Sequence, residues 1–322
     1  MSDRNIALSV KNLVVQYYTD DGRINAVNGV SFDLMEGERL GLVGESGCGK
    51  STMALALMRM IKPPGKILSG EAWIQNFNLY ELNYEDMRMA RAHMIGMIPQ
   101  GAMNSLVPVL RIKDQIMDTI QDHKLGMSKE QMLERACEAL ESVGLSRRVA
   151  NMYPHELSGG MKQRVCAAIG LAMKPKVIIA DEPTSALDVI TQRQVMETIG
   201  KLQDQTKASI IMITHDMGLM AQFVDRVAVM YAGKLAEVST VKDAFTNPLH
   251  PYTKLLISTL PVLSRKGVFV SIPGMAPSFL ELPAGCPFHP RCPSAMDICT
   301  EKMPEQITTS EGRLVSCHLY QA

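Results

Sequence analysis

The sequence predicts an α/β fold in which a sheet is buried on both faces. Two uninterrupted apolar runs, at 177–180 and 210–213, have the length and composition of strands that are covered on both sides. A third apolar run, at 40–43, leads through a glycine-rich loop at 44–52 into a helical pattern at 53–58. Strands of this kind need helices on both faces of their sheet, which favours the α/β class.

The length and charge of the chain limit what it can be. Its 322 residues exceed the roughly 250 at which single cores stop growing, so two or three domains are expected. The 33 lysines and arginines balance 33 aspartates and glutamates, so no net field would attract nucleic acid, and we expect none as a partner. The N-terminus is polar and no window approaches eighteen apolar residues, which favours a protein that is kept in the cytosol.

The glycine-rich loop has the pattern of a phosphate-binding loop, G-x-x-x-x-G-K-S. It consists of Gly44, Glu45, Ser46, Gly47, Cys48, Gly49, Lys50, Ser51 and Thr52. Its glycines let backbone N–H groups face an anion, and the N-terminus of the following helix adds partial positive charge. Lys50 would reach the terminal phosphates of a nucleotide, and the Ser51 hydroxyl would hold magnesium. A plain glycine turn is the alternative, but the flanking strand and helix favour nucleotide binding.

Short strands lie on either side of this loop. They are expected at 7–10, 13–18, 26–32, 39–43 and 70–74, with residues 6–43 as a small antiparallel unit that leads into the first core strand. Tyr17 and Tyr18 lie in the second strand, where a ring could stack on a nucleotide base, although strand propensity alone would explain them. Helices are expected at 84–93, across 111–145 with a capping signal at Ser128, and near 254–260.

Polar side chains at three later strand ends are suited to nucleotide hydrolysis. Gln100 follows the strand predicted at 94–99, and its amide oxygen could hold magnesium or the attacking water. Asp181 could bind magnesium through water, and Glu182 could polarise a water aimed at the γ-phosphate, unless the two are a solvated acidic pair. His215 follows another buried strand and could contact the γ-phosphate, although a lone histidine is more often structural.

A second anion site is indicated at the start of a later helix. Ser158, Gly159 and Gly160 open a helical pattern that continues to residue 173. The serine hydroxyl, the free N–H groups of the first turn and the helix dipole would together attract an anion. An ordinary helix N-cap is the alternative interpretation.

These motifs together resemble the ATPase subunits of ABC transporters over about residues 6–245. In the family's order they are Walker A at 44–52, the Q-loop at Gln100, the signature at 157–160, Walker B at 178–182, the D-loop at 185–188 and the switch His215. The resemblance implies a P-loop NTPase with a RecA-like core, an antiparallel β subdomain and a helical subdomain at about 101–167. It implies ATP and Mg²⁺ as cofactors, with Ser51, Gln100 and Asp181 at the metal. Tyr17 corresponds to the base-stacking aromatic, with Tyr18 as its rival.

The resemblance also implies that the ATP site is shared between two subunits. In the family, the signature with Ser158 reaches the nucleotide of a second ATP-binding subunit, here a paralogue or an identical chain. Asp188 of the D-loop is also expected among the nucleotide-binding residues. The segment 101–115 is where the family contacts its permease. Met161 stands where the family more often has glutamine. This difference resembles the peptide-permease branch of the family, and it leaves Ser158 and Gly160 in place.

Four of the seven cysteines lie close together near the C-terminus: Cys286, Cys292, Cys299 and Cys317. In a reducing compartment this favours a metal site over disulfides, but spacings of five, six and seventeen residues leave zinc and an iron–sulfur cluster equally open. The tail 246–322 resembles the C-terminal extension of dipeptide and oligopeptide permease ATP-binding subunits. That resemblance implies a 4Fe-4S cluster on the four cysteines, with His289 and His318 outside the ligand set.

The function implied is ATP hydrolysis that drives import of dipeptides or oligopeptides. The partners would be two transmembrane permease subunits, the second ATP-binding subunit and an extracytoplasmic solute-binding protein, with this chain at the cytoplasmic face of the membrane. Nickel chelates and oligosaccharides are alternative solutes. A soluble ABC ATPase acting on nucleic acid or translation is the alternative function, although the chain has one ATPase unit and balanced charge.

Overall fold

The α/β class predicted from the sequence is confirmed by the computed structural model, which describes residues 5–101, 105–123, 126–185, 187–260 and 271–321. The strands are β1 (Ile6–Thr19), β2 (Gly22–Met35), β3 (Arg39–Val43), β4 (Gly65–Ile74), β5 (Phe77–Asn78), β6 (Ile95–Ile98), β7 (Val177–Asp181), β8 (Ser209–Ile213), β9 (Arg226–Tyr231), β10 (Lys234–Thr240), β11 (Ile307–Thr308) and β12 (Leu314–Val315). The helices are α1 (Lys50–Leu57), α2 (Tyr84–His93), α3 (Ile112–Asp122), α4 (Lys129–Ser142), α5 (Gly159–Leu171), α6 (Val189–Thr206), α7 (Met217–Phe223), α8 (Val241–Thr246), α9 (Pro251–Ser258) and α10 (Ile298–Glu301). In these ranges, none of the helices has the length and hydropathy needed to cross a membrane.

The chain forms two compact units. The first unit comprises 5–8, Leu34–Glu38 and Trp73–Ile213, and the second comprises Ser9–Asp33, Arg39–Ala72 and the residues from Thr214 onward, within the described ranges. Both units are discontinuous in sequence, so each depends on contacts between distant segments.

The first unit contains a parallel group of strands and most of the long helices. Strand β7 pairs in parallel with both β6 and β8, and every residue of β7 and β8 is buried, as the apolar runs predicted. The helical stretch predicted at 111–145 is two helices, α3 and α4, with Ser128 capping α4 in a reciprocal box with Gln131. Three isoleucines of α3, spaced by four, have no exposed surface: Ile112, Ile116 and Ile120. They give α3 one apolar face.

The second unit contains strands β2, β1 and β4 as neighbours, and a second set in which β9 lies between β3 and β10. The sequence predicted two strands at 7–10 and 13–18, but β1 is continuous through Asn12. That residue takes a left-handed conformation with φ of 48°, and its N–H donates to the Ser31 hydroxyl at 2.8 Å. Asparagine adopts this conformation more readily than most residues, so the chain turns locally without ending the strand.

Residues 307–315 extend the sheet of the second unit. Strand β12 pairs antiparallel with β10, and β11 pairs with β12. Helix α9 begins three residues earlier than the predicted helix, because Pro251 is its first residue and His250 caps it by accepting from the Tyr252 N–H at 3.0 Å. Burial lowers the pKa of His250 to about 4, so the ring is neutral at pH 7 and its Nδ1 can accept.

A buried ion pair anchors the segment 307–315. Arg313 donates to a Glu237 carboxylate oxygen at 2.6 Å, and the two side chains are 4% and 0% exposed. The other carboxylate oxygen of Glu237 accepts from the N–H groups of Leu249 and His250, and Arg313 also donates to the Asn247 carbonyl. Removing one partner of such a pair typically costs about 3–5 kcal/mol, so this contact fixes the end of the chain onto β10.

Candidate active site

The loop between β3 and α1 has a backbone that strongly favours glycine at three positions. Gly44, Gly47 and Gly49 have φ values of 151°, 78° and 109°, which L side chains rarely adopt. A Cβ at Gly44 would lie 2.1 Å from the Met230 carbonyl oxygen, and one at Gly49 would lie 2.2 Å from that of Ala26. Gly44 and Gly49 are therefore required by conformation and by close packing, and Gly47 is favoured by its conformation, in the strand–loop–helix context predicted from the sequence.

Lys50 crosses this loop. Its ammonium donates to the carbonyl oxygens of Gly44 and Glu45, at 2.9 Å each, and lies 3.6 Å from the Cys48 sulfur. The side chain is 8% exposed, which is uncommon for lysine unless it is paired. A buried cation held inside a glycine cradle at a helix N-terminus is suited to phosphate oxygens, so these residues fit a nucleotide's phosphates.

In the first unit, Gln100 and Glu182 meet at one sheet edge. Strands β6 and β7 are parallel with Ile98 opposite Ala180, so the residues that follow them lie at the same end. The Gln100 amide nitrogen donates to a Glu182 carboxylate oxygen at 2.7 Å. Glu182 has a φ of 45°, a strained value for a residue other than glycine, and its N–H donates to the Ile213 carbonyl. Asp181, at the end of β7, is 3% exposed.

Helices α5 and α6 of the first unit begin side by side. Ser158 caps α5 by accepting from the Met161 N–H, and a Cβ at Gly160 would lie 2.6 Å from the Thr191 methyl carbon. Asp188 caps α6 and accepts from the backbone and hydroxyl of Thr191, which lowers the pKa of its carboxyl. The predicted signature and the end of the predicted D-loop are thus neighbours, while Ala186 lies outside the described residues.

The second unit contains the remaining candidates of the ATPase motifs. His215 is exposed and lies just before α7, whose N-terminus is capped by Asp216. A Cβ at Gly65 would lie 2.6 Å from the Tyr17 ring, so this ring packs closely on that backbone. The Tyr18 ring instead makes cation–π contacts with Arg23 and Lys66, whose charged groups lie 5.7 and 5.6 Å from the ring centre. Tyr18 is nevertheless 38% exposed, so these contacts do not decide between the two rings, and Tyr17 stays the ring that the motif order favours.

The four C-terminal cysteines lie near one another in the second unit. The Cys286 N–H donates to the Cys299 carbonyl at 2.8 Å. The pKa of the Cys286 thiol is raised to about 11, mainly by burial and in smaller part by the nearby Cys299, Cys317 and Cys292. Even so, no group of three or more His, Cys, Asp or Glu side chains in the part of the chain that the structure describes has the geometry to hold a metal ion.

The sequence did not predict a hydrogen-bond network that joins the glycine-rich loop to the segment 286–317 that contains the four cysteines, here called the cysteine segment. Arg291, which precedes Cys292, donates to both carboxylate oxygens of Glu45 at 2.7 and 2.8 Å. The Glu45 N–H donates to the Tyr252 hydroxyl at 2.9 Å. These partners are separated by more than 200 residues, so no local pattern could reveal them.

Two known families match the chain. The ABC transporter family matches residues 27–185, and the C-terminal region of oligopeptide/dipeptide transporters matches residues 236–299. The oligopeptide transport ATP-binding protein OppD of Salmonella typhimurium is 44% identical, over 97% of this chain and 93% of its own. The dipeptide transport ATP-binding protein DppD of Bacillus subtilis is 43% identical, over 97% and 94%.

Solved structures give the same family. The dimeric ATP-binding cassette MJ0796, bound to ADP and Pi in a post-hydrolysis state, is 31% identical with a TM-score of 0.65. The match covers 73% of this chain and 98% of that one. CbiO1 of Clostridium perfringens, part of the ABC transporter complex cbiONQ, is 26% identical with a TM-score of 0.65, over 76% and 92%.

Proposed function

The chain belongs to the ABC transporter family, among the ATP-binding proteins of oligopeptide and dipeptide transport, and we propose that it hydrolyses ATP to energise peptide import through a membrane permease. The observation that carries this function is the joint match of both parts of the chain. The ATPase motifs are common to many ABC proteins, whereas the matched region at 236–299 is that of oligopeptide and dipeptide transporters. An ABC ATPase of translation or DNA repair would not be expected to carry that region.

The roles of the individual residues follow from their motifs and local geometry. Lys50 and the glycine loop bind the terminal phosphates, and Tyr17 stacks on the base. Glu182, held by Gln100, orients the attacking water and accepts its proton. Mg²⁺, when bound, neutralises charge on the phosphate oxygens, and Ser51, Gln100 and Asp181 are the residues that would hold it. The further residues to which we assign nucleotide contacts are Ser46, Thr52, Ser158, Gly159, Gly160, Asp188 and His215.

The partners follow from the same proposal. ATP on this chain meets the signature of a second ATP-binding subunit, and the dimeric state of the similar cassette MJ0796 supports that arrangement. Two permease subunits, an extracytoplasmic solute-binding protein and a place at the cytoplasmic face of the membrane complete the system. Within the segment 101–115, Val107 and Val109 are 44% and 79% exposed, which supports a permease contact there; its residues 102–104 lie outside the described ranges. We propose an ATPase domain at 1–245, with its helical subdomain at about 101–167, and an extension at 246–322.

Purification from native membranes tests this function. We expect a tag on the full-length chain to recover a complex that contains two integral membrane subunits and hydrolyses ATP. Recovery of the chain with ribosomes or nucleic acid, and without membrane proteins, would instead support the alternative of a soluble ABC ATPase.

The four-cysteine segment is proposed to hold a 4Fe-4S cluster, with zinc as the alternative. Four neighbouring thiols are a suitable donor set for either, and three of them, Cys286, Cys292 and Cys299, lie in the matched oligopeptide/dipeptide C-terminal region at 236–299. The arrangement in this structure does not fit a bound metal, so the cysteine side chains would have to turn toward a common centre.

Metal analysis of anaerobically purified protein separates these assignments. We expect a brown protein with about four irons per chain, because one cubane cluster needs four iron atoms on four thiolates. Cys292→Ser should lose most of the iron. Cys166→Ser, which changes a buried cysteine of α5 in the first unit, should retain it. Stoichiometric zinc without iron would overturn the cluster assignment.

A further inference from the structure

Glu45 of the phosphate loop is held at three points. Its N–H donates to the Tyr252 hydroxyl, its carbonyl accepts from Lys50, and its carboxylate accepts two hydrogen bonds from Arg291. Two of these three partners belong to the part of the chain beyond residue 245. The local backbone of the loop is therefore fixed by the extension as well as by the strand and helix on either side of it.

Arg291 is buried and its guanidinium has a partner on every side. Besides the two oxygens of Glu45, it donates to the Pro273 carbonyl at 2.8 Å and to the Tyr231 hydroxyl at 3.2 Å. Its side chain is 6% exposed and that of Glu45 is 26% exposed. A forked pair whose arginine is buried fixes both distance and orientation, which a single surface ion pair does not.

Three aromatic rings make the support of this pair rigid. Tyr231, Tyr252 and Phe288 pack with ring centres 4.6 to 5.3 Å apart, and all three are at most 4% exposed. Tyr231 ends β9, Tyr252 lies in α9, and Phe288 belongs to the cysteine segment. The arginine and the tyrosine hydroxyl that hold Glu45 are thus attached to one packed cluster.

A carboxylate is an unfavourable neighbour for a site that binds phosphates. Glu45 follows the first glycine of the loop, and its carbonyl is one of the two that hold the Lys50 ammonium. Without a counter-ion, its charge would repel a nucleotide's phosphates and attract Lys50 away from them. Arg291 neutralises this charge and directs the carboxylate toward the extension.

We propose that Arg291 is a positioning residue for the phosphate loop, which it keeps competent for phosphate by holding and neutralising Glu45. This inference rests on the proposed nucleotide binding at that loop. It assigns the extension a role in ATP binding that does not depend on any metal. Because coupling between sites is reciprocal, nucleotide binding must in turn stabilise the segment around Arg291.

Equilibrium binding of MgADP, which needs no hydrolysis step, tests this role in the full-length chain. We expect Arg291→Gln to raise the Kd at least about 10-fold, since one unit charge is left uncompensated beside the phosphates. This increase in Kd should be smaller at high salt, because salt screens the uncompensated charge. Arg291→Lys should lose less affinity than Arg291→Gln, because lysine keeps the positive charge but cannot donate two parallel hydrogen bonds to the carboxylate. The double variant Arg291→Gln/Glu45→Gln should recover most of the affinity.

The control is Arg313→Gln, which removes a second buried arginine of the extension. Arg313 pairs with Glu237 and does not contact the loop, so this variant should lower the melting temperature and leave the Kd unchanged. The inference is overturned if Arg291→Gln binds like wild type, if Arg313→Gln weakens binding equally, or if the double variant binds as weakly as Arg291→Gln. Failure of the wild-type chain to bind MgADP would instead contradict the proposed function.

Discussion

Replacing Glu182 with glutamine is expected to lower ATP turnover by about 100- to 10 000-fold while the Kd for ATP changes little. The carboxylate follows the buried strand β7 and is held by the Gln100 amide at 2.7 Å, in a backbone conformation that is strained for glutamate. Glutamine has nearly the same shape but cannot accept a proton from the attacking water. The measurement compares steady-state hydrolysis with equilibrium ATP binding in the same preparation.

Glu197→Gln is a suitable control for this variant. Glu197 is an exposed residue of α6 in the same unit, where it pairs with Arg193. Its replacement should change neither turnover nor binding, because exposed pairs at this spacing contribute only a few tenths of a kcal/mol. Turnover at the wild-type rate in Glu182→Gln would reject Glu182 as the base.

Replacing Lys50 with alanine is expected to weaken ATP binding at least about 100-fold, equivalent to about 3 kcal/mol. The ammonium is buried inside the loop and held by the Gly44 and Glu45 carbonyls, so its contacts with phosphate would be made with little competition from water. Removing it also leaves both carbonyls without this donor. Titration of the variant with MgATP measures the loss directly.

Lys254→Ala provides the comparison, because Lys254 is an exposed cation on α9 of the same unit. We expect wild-type affinity in that variant. If Lys50→Ala bound ATP as tightly as Lys254→Ala, the loop would not be the site of phosphate binding.

Much of the fold could be predicted because its signals are local. The apolar runs that became β7 and β8 needed no partner to be recognised, and neither did the cap at Ser128 or the glycines at 44 and 49. The signal at each of those positions is contained in the local sequence, so the sequence pattern and the structure agree; only the close approach of Gly44 to Met230 and of Gly49 to Ala26 depends on distant residues.

What could not be predicted depends on contacts between distant residues. The pairs Glu45–Arg291 and Glu237–Arg313 join positions that are 246 and 76 residues apart. The residues next to each of these four charged side chains in the sequence do not distinguish it from a charged side chain on the surface. The continuity of β1 through Asn12 likewise depends on Ser31 of β2. The same limit applies to the cysteines, whose spacing predicted a metal site but could not predict how the thiols are directed.

Transport by the purified complex tests the central claim most directly. The complex isolated through this chain would be placed in proteoliposomes with its solute-binding protein, and accumulation of labelled dipeptides and oligopeptides would be followed with MgATP. We predict accumulation that requires ATP and is lost with Glu182→Gln. Hydrolysis of ATP without accumulation of either class of peptide would contradict the assignment of this chain to peptide import.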